Sequence, residues 1–140
     1  MVKKKQRKRS DYKKLKDKAW SVYSAYIRQK HANIDGMARC VTCVDEMKAW
    51  KPWKELQAGH FIPTRSGNVL FAEHNVHPQC YACNIHKNGA WVEYYKFMLG
   101  TYGIEVINKL MDLKYAPPKS TADFKDECER IISLYGHYKK

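Results

Sequence analysis

The sequence predicts an α+β fold: helices at both ends of the chain and, between them, a small irregular core pinned by metal. Three observations carry this. Apolar residues recur at helical spacing near the N-terminus and again beyond residue 100. From Met37 to Phe71 that period is lost, and Gly, Pro and short apolar pieces suit hairpins and knuckles. Two C-x2-C pairs, Cys40/Cys43 and Cys80/Cys83, bracket the middle with 36 residues between them. The predicted organisation is one domain over 1–140, with a basic flexible arm (1–10), a helix (11–31), a zinc-knuckle core (37–99) and C-terminal helices (100–140).

The arm is set by charge. Residues 1–18 carry ten bases against Asp11 and Asp17, so they supply +8 of the net +12. Lys3, Lys4, Lys5, Arg7, Lys8 and Arg9 repel one another and bring almost no apolar area, so the segment does not fold by itself. It reads as a phosphate-binding arm continued by Lys13 and Lys14, against the plainer reading of a solubility tail. The first helix follows, with Leu15, Ala19, Val22, Tyr23, Tyr26 and Ile27 on one face. Asn33 to Gly36 is turn chemistry. Residues 84–99 read as a helix with Trp91, Tyr94, Tyr95 and Met98 on its core side, interrupted by Gly100 and Gly103. Ile104, Ile107, Leu110 and Met111 mark the next helix, which Pro117 and Pro118 close. Ser120 is a good N-cap with Asp123 in the capping-box position, and Phe124, Cys128, Ile131, Ile132 and Tyr135 form the inner face of the last helix.

Composition excludes several classes. The 140 residues, 44% apolar, suit a single modest core. No run approaches the roughly 18 apolar residues of a membrane span, so no membrane role is expected. The basic start leads into more charge and never into an apolar stretch, so a secretory signal is not expected and the chain should stay inside the cell. Five cysteines in a reducing compartment point to metal rather than disulfides. Two C-x2-C units complete a closed four-cysteine zinc site, here Cys40, Cys43, Cys80 and Cys83, with a structural role. Cys128, on an apolar helix face, reads as a buried thiol and not a ligand. Trp50, Pro52 and Trp53, set among Lys48, Lys51 and Lys54, read as packing over the zinc site, with stacking on exposed bases as the second duty. The +12 charge asks for an anionic partner, DNA, and nothing calls for an organic cofactor.

Inside the zinc loop the chain reads AGHF (Ala58–Phe61), then NVHPQCYACN (Asn75–Asn84), then HKNG (His86–Gly89). A His at a strand end, an Asn 15 residues on, and C-x2-C-N opening a helix resembles the HNH (His-Me finger, ββα-metal) nucleases. The wording resembles more narrowly the phage NinG/Rap recombination endonucleases, over roughly Cys40 to Tyr95. The resemblance implies a zinc-stabilised ββα-metal core and hydrolysis of phosphodiesters in branched DNA such as Holliday junctions and D-loops. It implies His60 as general base, Asn75 as the residue orienting it, and Asn84 as a ligand of a catalytic Mg2+ or Mn2+. Asn84 and Asn88, four apart, would share a helix face, with His86 pointing elsewhere. Many HNH proteins carry an acid or His just before the base; here Gly59 stands there. The residue replacing it is open among Asn88, His86, Gln57, His77 and Glu73. Arg65, His77 and Lys87 join the arm as candidate DNA contacts, with His74 between phosphate contact and plain surface. A homodimer would suit paired cuts across a junction, and a phage-encoded chain would work in the host cytoplasm.

Two other classes compete: a non-catalytic zinc-ribbon nucleic-acid-binding protein, and a small basic structural protein of a ribonucleoprotein particle. His60 and Asn75 discriminate, because a mere binder needs neither a base nor its orienter.

Overall fold

The computed structural model describes residues 10–63 and 67–138. Helix α1 (Asp11–Lys30) begins where Ser10 Oγ accepts the Lys13 amide at 3.2 Å. It buries Ala19, Tyr23 and Ile27, with Leu15, Trp20, Val22 and Tyr26 partly covered against the same core. The Asn33 side chain then accepts the amides of Asp35 and Met37 at 3.0 and 2.9 Å, turning the chain into β1 (Met37–Arg39). After the first cysteine pair comes a single helical turn, α2 (Glu46–Ala49), capped by Asp45. Strand β2 (Trp50–Pro52) returns antiparallel to β1 with Ala38 opposite Lys51.

A 3-10 turn at Trp53–Glu55 leads into β3 (Gln57–His60). A short helix, α3 (Gly67–Leu70), lies in the connection to β4 (Val76–Gln79), which pairs antiparallel with β3. The register sets Gln57 opposite Gln79 and His60 opposite Val76. Ala58, His60, Val76 and Pro78 therefore share one face, and Gln57, Gly59, His77 and Gln79 the other. Ala58 and Val76 pack against α1, while His77 meets Tyr94 from the opposite side. Both faces of the hairpin are thus covered.

Three helices complete the chain: α4 (Trp91–Tyr102), α5 (Ile104–Tyr115) and α6 (Thr121–Tyr135). Ser120 Oγ accepts the Asp123 amide at 3.1 Å and starts α6 as its sequence suggests. Phe124, Cys128 and Ile131 of α6 join the α1 cluster, so α1 and α6 close together over the hairpin. Tyr94, Met98, Ile107 and Leu110 form a second cluster with Phe61, Ile62 and Val69. Among the described residues no helix is long and apolar enough to cross a membrane.

The structure corrects the expected helix over 84–99. Residues Ala82–His86 form a π-helical turn, in which the Lys87 amide reaches back five residues to the Ala82 carbonyl at 2.9 Å. Asn88, Gly89 and Ala90 then take φ of 50°, 90° and 48°, consecutive left-handed residues that end any helix. Regular helix resumes only at Trp91. The cause is the second cysteine pair: the wide turn brings Cys83 beside Cys80, and the Gly89 amide closes it on the Cys83 carbonyl at 3.0 Å. Asn84 and Asn88 consequently share no helix face. Trp91, expected in the core, is 58% exposed because Tyr94 and Met98 fill that space.

Candidate functional site

The four knuckle cysteines come from three places: the end of β1, the loop after it, and the turn after β4. All four are free thiols, and their sulfurs lie within 4.8 Å of one another. Cys43 Sγ is 3.6 Å from Cys80 Sγ and 3.8 Å from Cys83 Sγ. A tetrahedral ion with metal–sulfur bonds of about 2.3 Å sets its sulfurs about 3.8 Å apart, so the cluster can hold a metal ion such as zinc. Ala38, Leu56 and Ala90 bury it, and Trp53 packs against it. Trp50 is instead exposed, its indole N–H donating to Glu46 at 3.1 Å. Cys128 stands apart in the α1–α6 core.

Gln79 ties this cluster to the hairpin. Its Nε2 donates to Thr42 Oγ1, between the first two cysteines, and to the Gly89 carbonyl, both at 3.0 Å. Its side chain occupies the volume that any Cβ at position 59 would need. This is the physical reason that position 59 is a glycine. Gln79 Oε1 is buried without a hydrogen-bond partner.

His60 ends β3 on the α1-facing side and stacks on Trp20, with ring centroids 4.7 Å apart at 27°. Its Nε2 lies 3.1 Å from the Leu70 carbonyl. A carbonyl only accepts, so this contact assigns the proton to Nε2 and leaves the Nδ1 lone pair free. Burial pulls the imidazole pKa down from 6.5 to about 4, against the Leu70 bond, so the ring is neutral at pH 7. Asn75, fully buried, fixes the surroundings of that ring. Its Oδ1 accepts the Ile62 amide at 2.8 Å, and its Nδ2 donates to the carbonyls of Ile62 at 3.2 Å and Val69 at 2.9 Å. One side chain thus joins the segment leaving His60 to the helix whose Leu70 carbonyl meets His60.

Asn84 donates from Nδ2 to Gln57 Oε1 at 2.7 Å. Both line a cavity of about 310 Å³ between α1, β3 and the π turn, together with Trp20, Ser24, Arg28 and Ala58. Ala58 and His60 lie on one side of β3, about 7 Å apart along the strand. The structure does not bring the other expected ligands here. His86 is exposed and meets Tyr81 edge-on, and Asn88 is exposed in the left-handed turn. Glu73 is exposed, with Oε1 3.6 Å from His74 Nε2.

His77, expected on a DNA-binding surface, is 1% exposed and offers no nitrogen to a phosphate. Tyr94 donates to the Gly59 carbonyl at 2.8 Å, so its oxygen accepts from His77 Nδ1 at 2.9 Å. His77 Nε2 then accepts from Tyr102 at 2.7 Å. This directed chain runs from α4 to the backbone just before His60. Burial, with charge from His31, His74 and Lys30, pulls the His77 pKa to about 3. Lys13 and Lys14 are exposed on α1, Lys13 pairing with Asp17 at 3.3 Å, and Lys87 is exposed where the π turn ends. Lys3, Lys4, Lys5, Arg7, Lys8, Arg9 and Arg65 lie outside the described residues.

Sequence reasoning missed Trp20, Arg28, Tyr94 and Tyr102 as site residues. Trp20, Ser24 and Arg28 did carry a signal: spaced by four, they form a second stripe on α1 beside its apolar face.

The family model described as NinG, Bacteriophage Lambda NinG protein, matches residues 1–140. Protein ninG of Salmonella phage P22 is 29% identical over 93 residues, which are 66% of this chain and 41% of that protein. Protein ninG of Escherichia phage lambda gives the same identity and shares. Protein ninG of Escherichia phage 933W is 29% identical over 66% of this chain and 42% of its own length. The match thus spans about two fifths of these curated relatives. No solved structure matches the chain.

Proposed function

The chain belongs to the NinG family, and from that premise we propose that it is a metal-dependent, structure-selective DNA endonuclease. Its substrates would be branched recombination or repair intermediates, Holliday junctions and D-loops, cut by phosphodiester hydrolysis. The observation that carries this reading is the treatment of His60: Nε2 is bound by the Leu70 carbonyl, Nδ1 is left free, and buried Asn75 braces both sides of the ring's surroundings. An imidazole neutral at pH 7 with one free lone pair is in the protonation state a general base needs; burial makes it a weak base, and the negative charge of a bound phosphate would raise its pKa toward the working pH.

In this mechanism Nδ1 takes the proton of the attacking water. The imidazolium that results is stabilised by the face of Trp20 on which the ring stacks. Asn75 holds the loop, and the Tyr102–His77–Tyr94 chain holds the Gly59 carbonyl, so β3 carries the base on a fixed backbone. The four cysteines would hold a structural zinc that joins the two knuckles. For a catalytic Mg2+ or Mn2+ the amide oxygens of Asn84 and Gln57 are the candidate donors, but Gln57 Oε1 already accepts from Asn84 and no carboxylate lines their cavity, so these residues alone do not make a divalent-cation site. A substrate phosphate and water would have to supply the remaining ligands, and an ion so held would neutralise charge on the phosphate and the leaving oxygen. The basic arm adds affinity for DNA without sequence information, and paired cuts across a junction would take two copies of the chain.

The test is incubation of the full, zinc-loaded chain with four-way junction, linear and supercoiled DNA, with Mg2+, with Mn2+ and with neither added. Metal-dependent cutting, fastest on the junction, is expected. Binding without cutting in every metal would replace this reading by a zinc-ribbon nucleic-acid binder.

A further inference from the structure

Arg28 is 7% exposed, the one charged side chain buried among the described residues. It pairs with no carboxylate there. Its Nε donates to the Ser24 carbonyl at 3.2 Å and its Nη1 to the Leu56 carbonyl at 3.3 Å. The guanidinium lies 5.3 Å from the Trp53 ring centroid. Two of its five N–H groups are thereby placed, and the others have no protein acceptor among the described residues. A buried cation without a counter-ion costs stability, and a planar fork of donors matches a carboxylate or a phosphate; in a chain of net charge +12 the phosphate of a polyanion is the partner the charge favours. Arg28 also lines the cavity that holds Gln57 and Asn84.

We propose that Arg28 is the base of a phosphodiester-binding site between α1 and β3, its free N–H groups taking the non-bridging oxygens of one DNA phosphate beside the amides of Gln57 and Asn84. The site deepens the endonuclease reading and rests on DNA being the substrate. It places the phosphate beside the Gln57 and Asn84 amides, whose N–H groups can donate to it. Ser24 and Trp20, one and two turns earlier on the same face of α1, form the wall along which the strand enters.

The experiment uses Arg28→Met in the full chain, which keeps the stem over Trp53 and removes charge and donors. Three quantities are read with the zinc-loaded protein and no Mg2+ or Mn2+ added: melting temperature with and without inorganic phosphate, affinity for junction and duplex, and the salt dependence of that affinity. The variant is expected to melt within about 4 °C of wild type, since removing an unpaired buried charge is close to neutral. DNA should bind about 10–100-fold more weakly, with the log–log salt slope smaller by about 0.9. Phosphate should raise the melting temperature of wild type only. Stability and affinity lost together, or an unchanged slope, would make Arg28 a clamp on Leu56 and overturn the proposal. Should Arg28→Met not fold, Arg28→Lys is read instead: the slope kept with affinity down several-fold supports the fork, and unchanged affinity overturns it. A wild type that cuts nothing would sink the endonuclease reading, whereas the phosphate shift and salt slope would still report on Arg28.

Discussion

Replacing Asn75 by alanine removes three hydrogen bonds from a fully buried position. The Val69 carbonyl keeps a second donor, the Ala72 amide at 3.3 Å, so its loss is small. The Ile62 amide and carbonyl have no other hydrogen-bond partner among the described residues and become buried and unsatisfied. At about 1–3 kcal/mol for each such group, the variant should lose about 3–4 kcal/mol. Small domains hold about 5–15 kcal/mol in all, so it should still fold, with a melting temperature lower by about 10–15 °C. The functional loss should exceed the structural one. The Leu70 carbonyl and the strand exit move together with Asn75, so His60 loses its assigned tautomer and its aim. Cleavage should fall by about 10²–10³-fold at a temperature where the variant is folded, within the range that general-base catalysis can supply. The assay is thermal unfolding by circular dichroism beside single-turnover cleavage of a four-way junction at 20 °C below the variant's midpoint. A variant that melts within about 2 °C of wild type, or a folded variant that cuts at the wild-type rate, would refute the reasoning.

Cys83→Ser should release the metal and unfold the region around His60, with elemental analysis finding about one zinc in wild type and less in the variant; a variant both folded and zinc-loaded would contradict it. Acid should destabilise the protein through its two buried imidazoles, pulled from 6.5 to about 3 at His77 and about 4 at His60. The unfolded chain takes up those protons first, so this stability is whole above pH 6.5 and is lost as pH falls toward the folded values. By pH 5 the two groups together should cost about 4 kcal/mol. Urea unfolding at pH 7.5 and 5 should show about half that loss in His77→Gln, and an equal loss in both proteins would be against it. Deleting residues 2–9 should weaken binding to all DNA forms and reduce the log–log salt slope by about 4–5 units on duplex; an unchanged slope would leave the arm a solubility tail.

The end helices were legible because their information is local. Ala19, Tyr23 and Ile27, and likewise Phe124, Cys128 and Ile131, repeat at the spacing of one buried face. Ser120 announces its own helix start. The cysteine pairs were legible because two residues between thiolates is already a metal-binding geometry. The π turn was not, because nothing in Ala82–His86 asks for a wide turn until Cys83 has to meet Cys80. Nor does Ala90 show in advance that it will sit at φ 48°. His77 misled because β4 is buried on both faces, so the alternation that marks an inward side chain is missing from Val76–Gln79. The absence at Gly59 could be read, but its cause, the side chain of Gln79, lies 20 residues on and depends on the hairpin register. Arg28 was hidden by habit of composition: one more base in a chain of 26 reads as surface until its burial is seen.

The most direct test of the account is the Mg2+-dependent initial rate of four-way junction cleavage by wild type and His60→Ala, with junction affinity measured on the same samples. The base acts only in the transition state, whereas affinity comes from phosphate contacts elsewhere. The account predicts a rate lower by about 10²–10⁴-fold with affinity nearly unchanged. Wild-type cleavage by His60→Ala would contradict it.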